Sequence, residues 1–246
     1  MGNGDNIGGL VLLMFGAGAE GQSSVSDTAR GGVVPGLAGD EGGAMAGVAE
    51  IHTQATLVPN KLELMQAWLP TQAWFTGDAS DLAQVGQFRF VDPAGAVGIQ
   101  VMLVTSGGIL YQVPLTYRDA PLAGAEDALA GTLEHSVLGT RWTYDALADP
   151  VYQAELLRTI VEGDTAAGVP AGAAATTPVH GSGADGVELV PGERHGDDLI
   201  AYGPLTIHVP RHPDEAEPIG ALGVLTAEPA VEGDERSLVL AELRRA

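Results

Sequence analysis

Cysteine is absent from the 246-residue chain. That excludes disulfides, thiolate metal ligands and cysteine nucleophiles, and it suits the cytoplasm. Lysine is almost absent: Lys61 stands alone, and with abundant alanine, glycine and valine this fits a GC-rich genome. Basic charge is scarce altogether. Eleven Lys and Arg face 32 Asp and Glu, a formal net charge of −21. A field of that sign repels phosphate backbones and anionic headgroups, so neither nucleic acid nor a membrane is an expected partner. The apolar run within Ile7–Gly18 is too short to span a bilayer, and the MGNGDN before it lacks the Lys or Arg of a secretory leader. There is no Walker loop, no dinucleotide glycine fingerprint and no Gly-x-Ser-x-Gly elbow. Neither a cofactor nor a metal is expected.

Hydrophobic residues make up 45% of the chain, enough for a real core. Residues 1–44 are Gly-rich and aperiodic. They read as a disordered or wrongly assigned extension, with the true start expected at Met45. From Val48 the pattern sharpens. VAEIHTQATL reads as a strand, and Asn60 opens a short helix, KLELMQAWL, which Pro70 stops. Strands are expected at 87–91, 97–105 and 108–118, an antiparallel meander separated by Asp-Pro-Ala-Gly and Ser-Gly-Gly turns. GAEDALAG at 124–131 reads as a short helix. Asp149 and Pro150 start a better one, with Val151, Ala154, Leu157 and Val161 on one face and Gly163 as its stop. Composition makes 164–198 a flexible linker. Three strands are expected after it, at 199–210, 219–228 and 237–244. The domain plan is therefore 45–163, a linker at 164–198, and a small β element over 199–246 that either completes the first sheet or stands beside it.

Few constellations point to chemistry. His195-Gly196-Asp197 imitates the catalytic loop of aminoglycoside-phosphotransferase-like kinases, in which the Asp takes the substrate hydroxyl proton and an Asn five residues on holds Mg²⁺. Here that position is Tyr202, so the motif reads as a polar turn entering a strand. His208 and His212 lie about 13 Å apart in strand geometry, too far to chelate. Glu134 and His135, with Asp145 and Asp149 nearby in sequence, would make a general-base pair only if the chain folded them together; Asp149 is better explained as a helix cap.

Aromatics are only 5% of the sequence, yet AWLPTQAWFTGD at 67–78 holds two tryptophans and a phenylalanine. The first reading is a staple, fastening the helix end to the sheet. The second is an exposed platform for a sugar or a partner protein. Trp68, Gln72, Trp74, Phe75, His135 and Trp142 are the candidate surface residues.

The stretch Trp68-Leu-Pro-Thr-Gln72-x-Trp74-Phe75-x-Gly77 resembles the N-terminal cap of actinobacterial maltokinases and related aminosugar kinases. Ala73 and Asp78 stand where that cap commonly has Arg and Lys. The resemblance continues through Tyr111–Tyr117, Gly131–Gly139, Arg141–Asp145 and Asp149-Pro150, covering about 48–163. The chain looks like the stand-alone cap-like proteins often labelled α-glucan branching proteins. The resemblance implies an α+β fold, a curved antiparallel sheet packed on helices in a cystatin-like topology, followed here by the second β element. It also implies a place in maltose, trehalose or α-glucan metabolism. Three functions follow: a non-catalytic module that binds or regulates a partner such as a sugar kinase; an unusual or degenerate ATP-dependent sugar kinase using His195 and Asp197; or a carbohydrate-binding module using Trp74 and Trp142.

Overall fold

The computed structural model describes residues 55–170, 176–215, 218–228 and 237–246. The proposed extension at 1–44 and most of the first expected strand lie outside them; what is described of that strand is β1, Leu57–Val58. Helix α1 follows at Lys61–Trp68. Its start is a capping box. Glu63 N–H donates to Asn60 Oδ1 at 3.0 Å and Asn60 N–H donates to Glu63 Oε2 at 2.8 Å, so two of the orphan donors of the first turn are satisfied. A single 3₁₀ turn at Leu69–Thr71, with Pro70 inside it, ends the helix.

The meander forms as the alternation and turns require: β2 at Ala83–Val91, β3 at Gly98–Ser106 and β4 at Ile109–Arg118. Asp92 makes the first turn by accepting from Ala94, Ala96 and Val97 N–H at 2.8–2.9 Å. Gly107 and Gly108 make the second with φ of 57° and 80°, the two positive-φ positions of a tight hairpin turn.

The segment 124–131 departs from its expected helix. A 3₁₀ turn occupies Glu126–Ala128, and the chain then enters β5, Leu129–His135, paired with β6, Gly139–Asp145. The segment is too short to nucleate a helix alone, and cross-strand pairing with β6 prevails. Helix α2 runs Pro150–Glu162 between the expected signals, Asp149 as N-cap and Gly163 as C-cap at φ 67°. Its buried face is rotated from the expected one. Tyr152, Leu156 and Ile160 are buried with Gln153 and Leu157, while Ala154 is exposed. The helix meets more than one neighbour, so the buried stripe is broad. Gln153 supplies two of the anchors: its Nε2 donates to the Leu147 carbonyl at 2.7 Å and its own carbonyl accepts from Tyr202 OH at 2.8 Å.

The first sheet has the order β1-β5-β6-β4-β3-β2, all antiparallel, and curls into a half-barrel. The second begins inside the segment read as a linker. Strand β7 is Val179–Gly181, β8 is Glu193–His195, β9 is Leu199–Tyr202, β10 is Leu205–His208, β11 is Gly223–Ala227 and β12 is Leu238–Arg245. They order as β7-β11-β12-β10-β9-β8, again antiparallel. The expected strand at 199–210 is thus a hairpin, turned at Gly203-Pro204. The second β element is a separate six-stranded sheet rather than three strands added to the first.

The described part of 164–198 is held by hydrogen bonds. Ala167 and Thr177 N–H donate to the carbonyls of Arg89 and Gln87 at 2.8 and 2.7 Å, covering the β2 edge. Gly181 passes so close to α2 that a Cβ there would sit 1.9 Å from the Thr159 carbonyl oxygen. Composition predicted flexibility because it does not register such long-range backbone pairing.

Strand β3 explains the layering. Ile99, Val101 and Leu103 join one core with α2 and the second sheet, through Leu156, Ile160, Ile200, Tyr202 and Leu243. Met102 and Val104, on its other face, join a second core with Met65, Trp68 and Leu69. The run VGIQVMLVT is apolar in both phases because both of its faces are covered.

Candidate functional site

The aromatic cluster lies where α1 ends. Trp68 and Trp74 meet edge-to-face with ring centroids 6.0 Å apart, and Phe75 lies 4.9 Å from Tyr111 of β4. Trp68 is buried, while Trp74, Phe75 and Gln72 are half-buried. Gln72 turns its amide to the Thr71 hydroxyl at 2.8 Å. This is the staple geometry: the rings pack the helix exit onto β4, each fully buried large side chain contributing about 1.5–3 kcal/mol.

A second segment completes the cluster from the far side. Residues 209–213 follow β10 and carry Arg211 and His212. The Arg211 guanidinium lies over the Trp74 ring at 4.7 Å, donates from Nη2 to Asp145 Oδ2 at 2.6 Å, and donates from Nε to the Asp197 carbonyl at 2.6 Å. The His212 ring stands 4.6 Å from that of Tyr111, and its Nε2 lies 3.3 Å from the Trp74 carbonyl. Arg211 therefore joins the α1 exit, the end of β6 and the β8–β9 turn. Nothing local in Pro210-Arg-His-Pro213 announces this, because all three of its contacts are distant in sequence.

The candidate dyad does not assemble. Glu134 accepts from the Thr140 hydroxyl at 2.7 Å, and His135 Nδ1 accepts from Val137 and Leu138 N–H across its own hairpin. Asp145 caps the 3₁₀ turn at Ala146–Ala148 and pairs with Arg211. Asp149 caps α2 and takes both Nε and Nη2 of Arg118 at 2.7 Å; that bidentate bond pushes the Arg118 pKa up. His195-Gly196-Asp197 is the turn between β8 and β9, with Gly196 at φ 69° and both His195 and Asp197 exposed. His208 pairs with Asp198 at 3.1 Å while His212 faces Trp74, so the two histidines serve different neighbours. Among the described residues, no three or more His, Asp or Glu are grouped to hold a metal ion, and no helix is long and apolar enough to cross a membrane.

Trp142 lies apart from the cluster. It stands opposite Arg118 on β4 and packs near Ala125, Ala128 and Tyr144. Tyr111, which touches Trp74, has the opposite parity on the same regular strand, so Trp74 and Trp142 occupy opposite faces of the first sheet.

Trp68 and Asp149, the stapling ring and the α2 cap, are the two ends of a segment with known relatives. Residues 68–149 match the family described as the maltokinase N-terminal cap domain. This segment is similar to the maltokinase N-terminal cap domain. It spans a third of the chain. No curated protein matches the chain. The cap-like segment contains β2 to β6 of the first sheet and both ends of the Arg118–Asp149 pair, while Arg211 reaches it from outside.

Proposed function

We propose that this chain is a non-catalytic cap-like module that binds or regulates a partner in maltose, trehalose or α-glucan metabolism, acting on a sugar kinase in the cytoplasm. The observation that carries the reading is the match of residues 68–149 to the maltokinase cap. The engagement of Asp145 and Asp149 as caps and ion-pair partners supports it, as does the use of His195-Gly196-Asp197 as a hairpin turn. The finer topology belongs to the same reading. Helix α1 laid against one face of a curled antiparallel sheet supports a cystatin-like cap. The cytoplasmic placement rests on the cysteine-free composition.

The test has two arms. The purified chain is assayed with Mg²⁺-ATP and glucose, glucosamine, maltose or trehalose, and it is mixed with a maltokinase whose activity and elution volume are followed. We expect no phosphoryl transfer by the chain alone, and co-elution with the kinase or a changed kcat/KM. Sugar phosphorylation abolished by Asp197→Ala would overturn the reading, as would a kinase indifferent to the chain in both assays.

A further inference from the structure

The face of the first sheet that carries α1 also holds two cations with no carboxylate between them. Lys61, at the first turn of α1, donates through Nζ to Gln100 Oε1 and lies 5.1 Å from the centre of the Tyr117 ring. Gln100 in turn donates through Nε2 to Gln87 Oε1. Arg89 stands directly opposite Gln100 in the β2–β3 register, and direct cross-strand partners share a face. Arg89 is half-buried, and among the described residues its guanidinium makes no ion pair or hydrogen bond. The Tyr117 hydroxyl is buried and has no hydrogen-bond partner.

This arrangement is costly as it stands. A guanidinium offers five donors and an ammonium three, and a partly desolvated cation without a counter-charge is disfavoured. The electrostatics register the strain. Burial, and secondarily Arg89, push the Lys61 amine down to about 7, and burial pushes the Arg89 pKa down as well. The chain has 32 acidic residues, yet neither cation forms an ion pair with a described one. Elsewhere Arg118, Arg158 and Arg211 all pair with carboxylates.

We propose that Lys61 and Arg89, with the Tyr117 hydroxyl and the Gln100–Gln87 amide chain behind them, form a binding site for a small phosphate-class oxyanion. Two adjacent cations are neutralised by one dianion, whereas a single carboxylate leaves a net positive charge. The glutamines fix the Lys61 ammonium, the guanidinium supplies paired donors for phosphate oxygens, and the Tyr117 hydroxyl gains the acceptor it lacks. The −21 field opposes anions at long range, but screening confines that effect to about 8 Å at physiological salt. The site stands on its own geometry and does not depend on the partner reading above.

The single lysine makes the site directly observable. Protein labelled with [¹³C]lysine gives one Hε–Cε signal, and its pH titration reads Lys61 alone. Inorganic phosphate and glucose 1-phosphate are the probes, with sodium acetate at matched ionic strength as control. We expect either phosphate to move the titration midpoint up by at least one pH unit relative to acetate. A response to glucose 1-phosphate at lower concentration than inorganic phosphate would identify a sugar phosphate as the preferred source; equal responses would identify free phosphate chemistry. Arg89→Gln should raise the midpoint in acetate and abolish the phosphate response, and Arg89→Lys should retain part of it. Equal midpoints in phosphate and acetate for the parent protein would overturn the proposal whether or not the variants fold, as would a full phosphate response in Arg89→Gln.

Discussion

Arg211 and Asp145 form a buried ion pair at 2.6 Å, with side chains 3% and 5% exposed. Asp145 ends β6 of the first sheet and Arg211 follows β10 of the second, so the pair fastens one sheet to the other. Removing one member strands the other in a dry site. Arg211→Leu should therefore destabilise by about 3–5 kcal/mol, and Asp145→Leu by a similar amount. The double variant should lose much less than the sum, because no unpaired charge remains. Urea unfolding of the four proteins measures the coupling; additive losses would show that the pair does not act as a unit.

The tryptophans should separate by burial. Trp68 is 6% exposed and packed among Met65, Leu69 and Tyr111, so Trp68→Ala should cost about 3–5 kcal/mol. Trp74 presents a different balance. Its indole N–H is buried without a partner, and its ring lies under Arg211. Trp74→Phe keeps a ring there and removes the unsatisfied donor, so it should stay within about 1 kcal/mol of the parent. Thermal and urea unfolding check both. The opposite-face placement of Trp74 and Trp142 keeps the two rings from contacting a single flat surface together.

The sequence revealed local features better than distant ones. Asn60, Pro70, Asp149, Pro150 and Gly163 act within one helical turn, and each marks a boundary that the structure keeps. The meander was readable for the same reason, through Asp92 and the Gly107-Gly108 turn. The β5–β6 hairpin was hidden because its first strand begins in Ala-rich sequence that suits a helix equally well. Strands β7 and β8 were hidden because their partners, β11 and β9, supply the hydrogen bonds that composition alone does not show. Of the candidate surface, Trp68-to-Phe75 was legible as a cluster, whereas Arg211 arrives from 137 residues beyond Trp74 and left no local mark.

Two aspartates with superficially similar prospects should behave in opposite ways. Asp149 is fully buried, accepts from Val151 N–H at 2.9 Å and binds Arg118 twice. Asp149→Ala loses the cap and strands a cation, a cost of about 3–5 kcal/mol. Asp197 is exposed, and the bond it makes to Arg211 uses its backbone carbonyl. Asp197→Ala should change stability by less than about 0.5 kcal/mol. Chemical denaturation distinguishes the two; a large loss at Asp197 would show that its side chain has a role beyond the turn.

Stability should rise with pH from neutrality and then fall. The Lys61 amine, ordinarily near 10.5, is pushed down to about 7 in the fold by burial first and Arg89 second. The unfolded chain holds this proton up to about pH 10.5, while the folded chain releases it above about pH 7. Between those values the unfolded state binds more protons, so raising pH favours folding. The charged groups facing the amine are Arg89 from β2 and, once ionised, Tyr117 from β4. Burial raises the pKa of Tyr117, Tyr152 and Tyr202 above their ordinary 10.0. The unfolded tyrosines therefore ionise first, and stability is lost above about pH 10. Urea midpoints at pH 6, 8, 9.5 and 11 should trace this dome. Lys61→Met should be more stable than the parent at pH 6 and should lose the rising limb while keeping the fall, since the tyrosines remain. A rising limb of unchanged slope in Lys61→Met would assign it to another group.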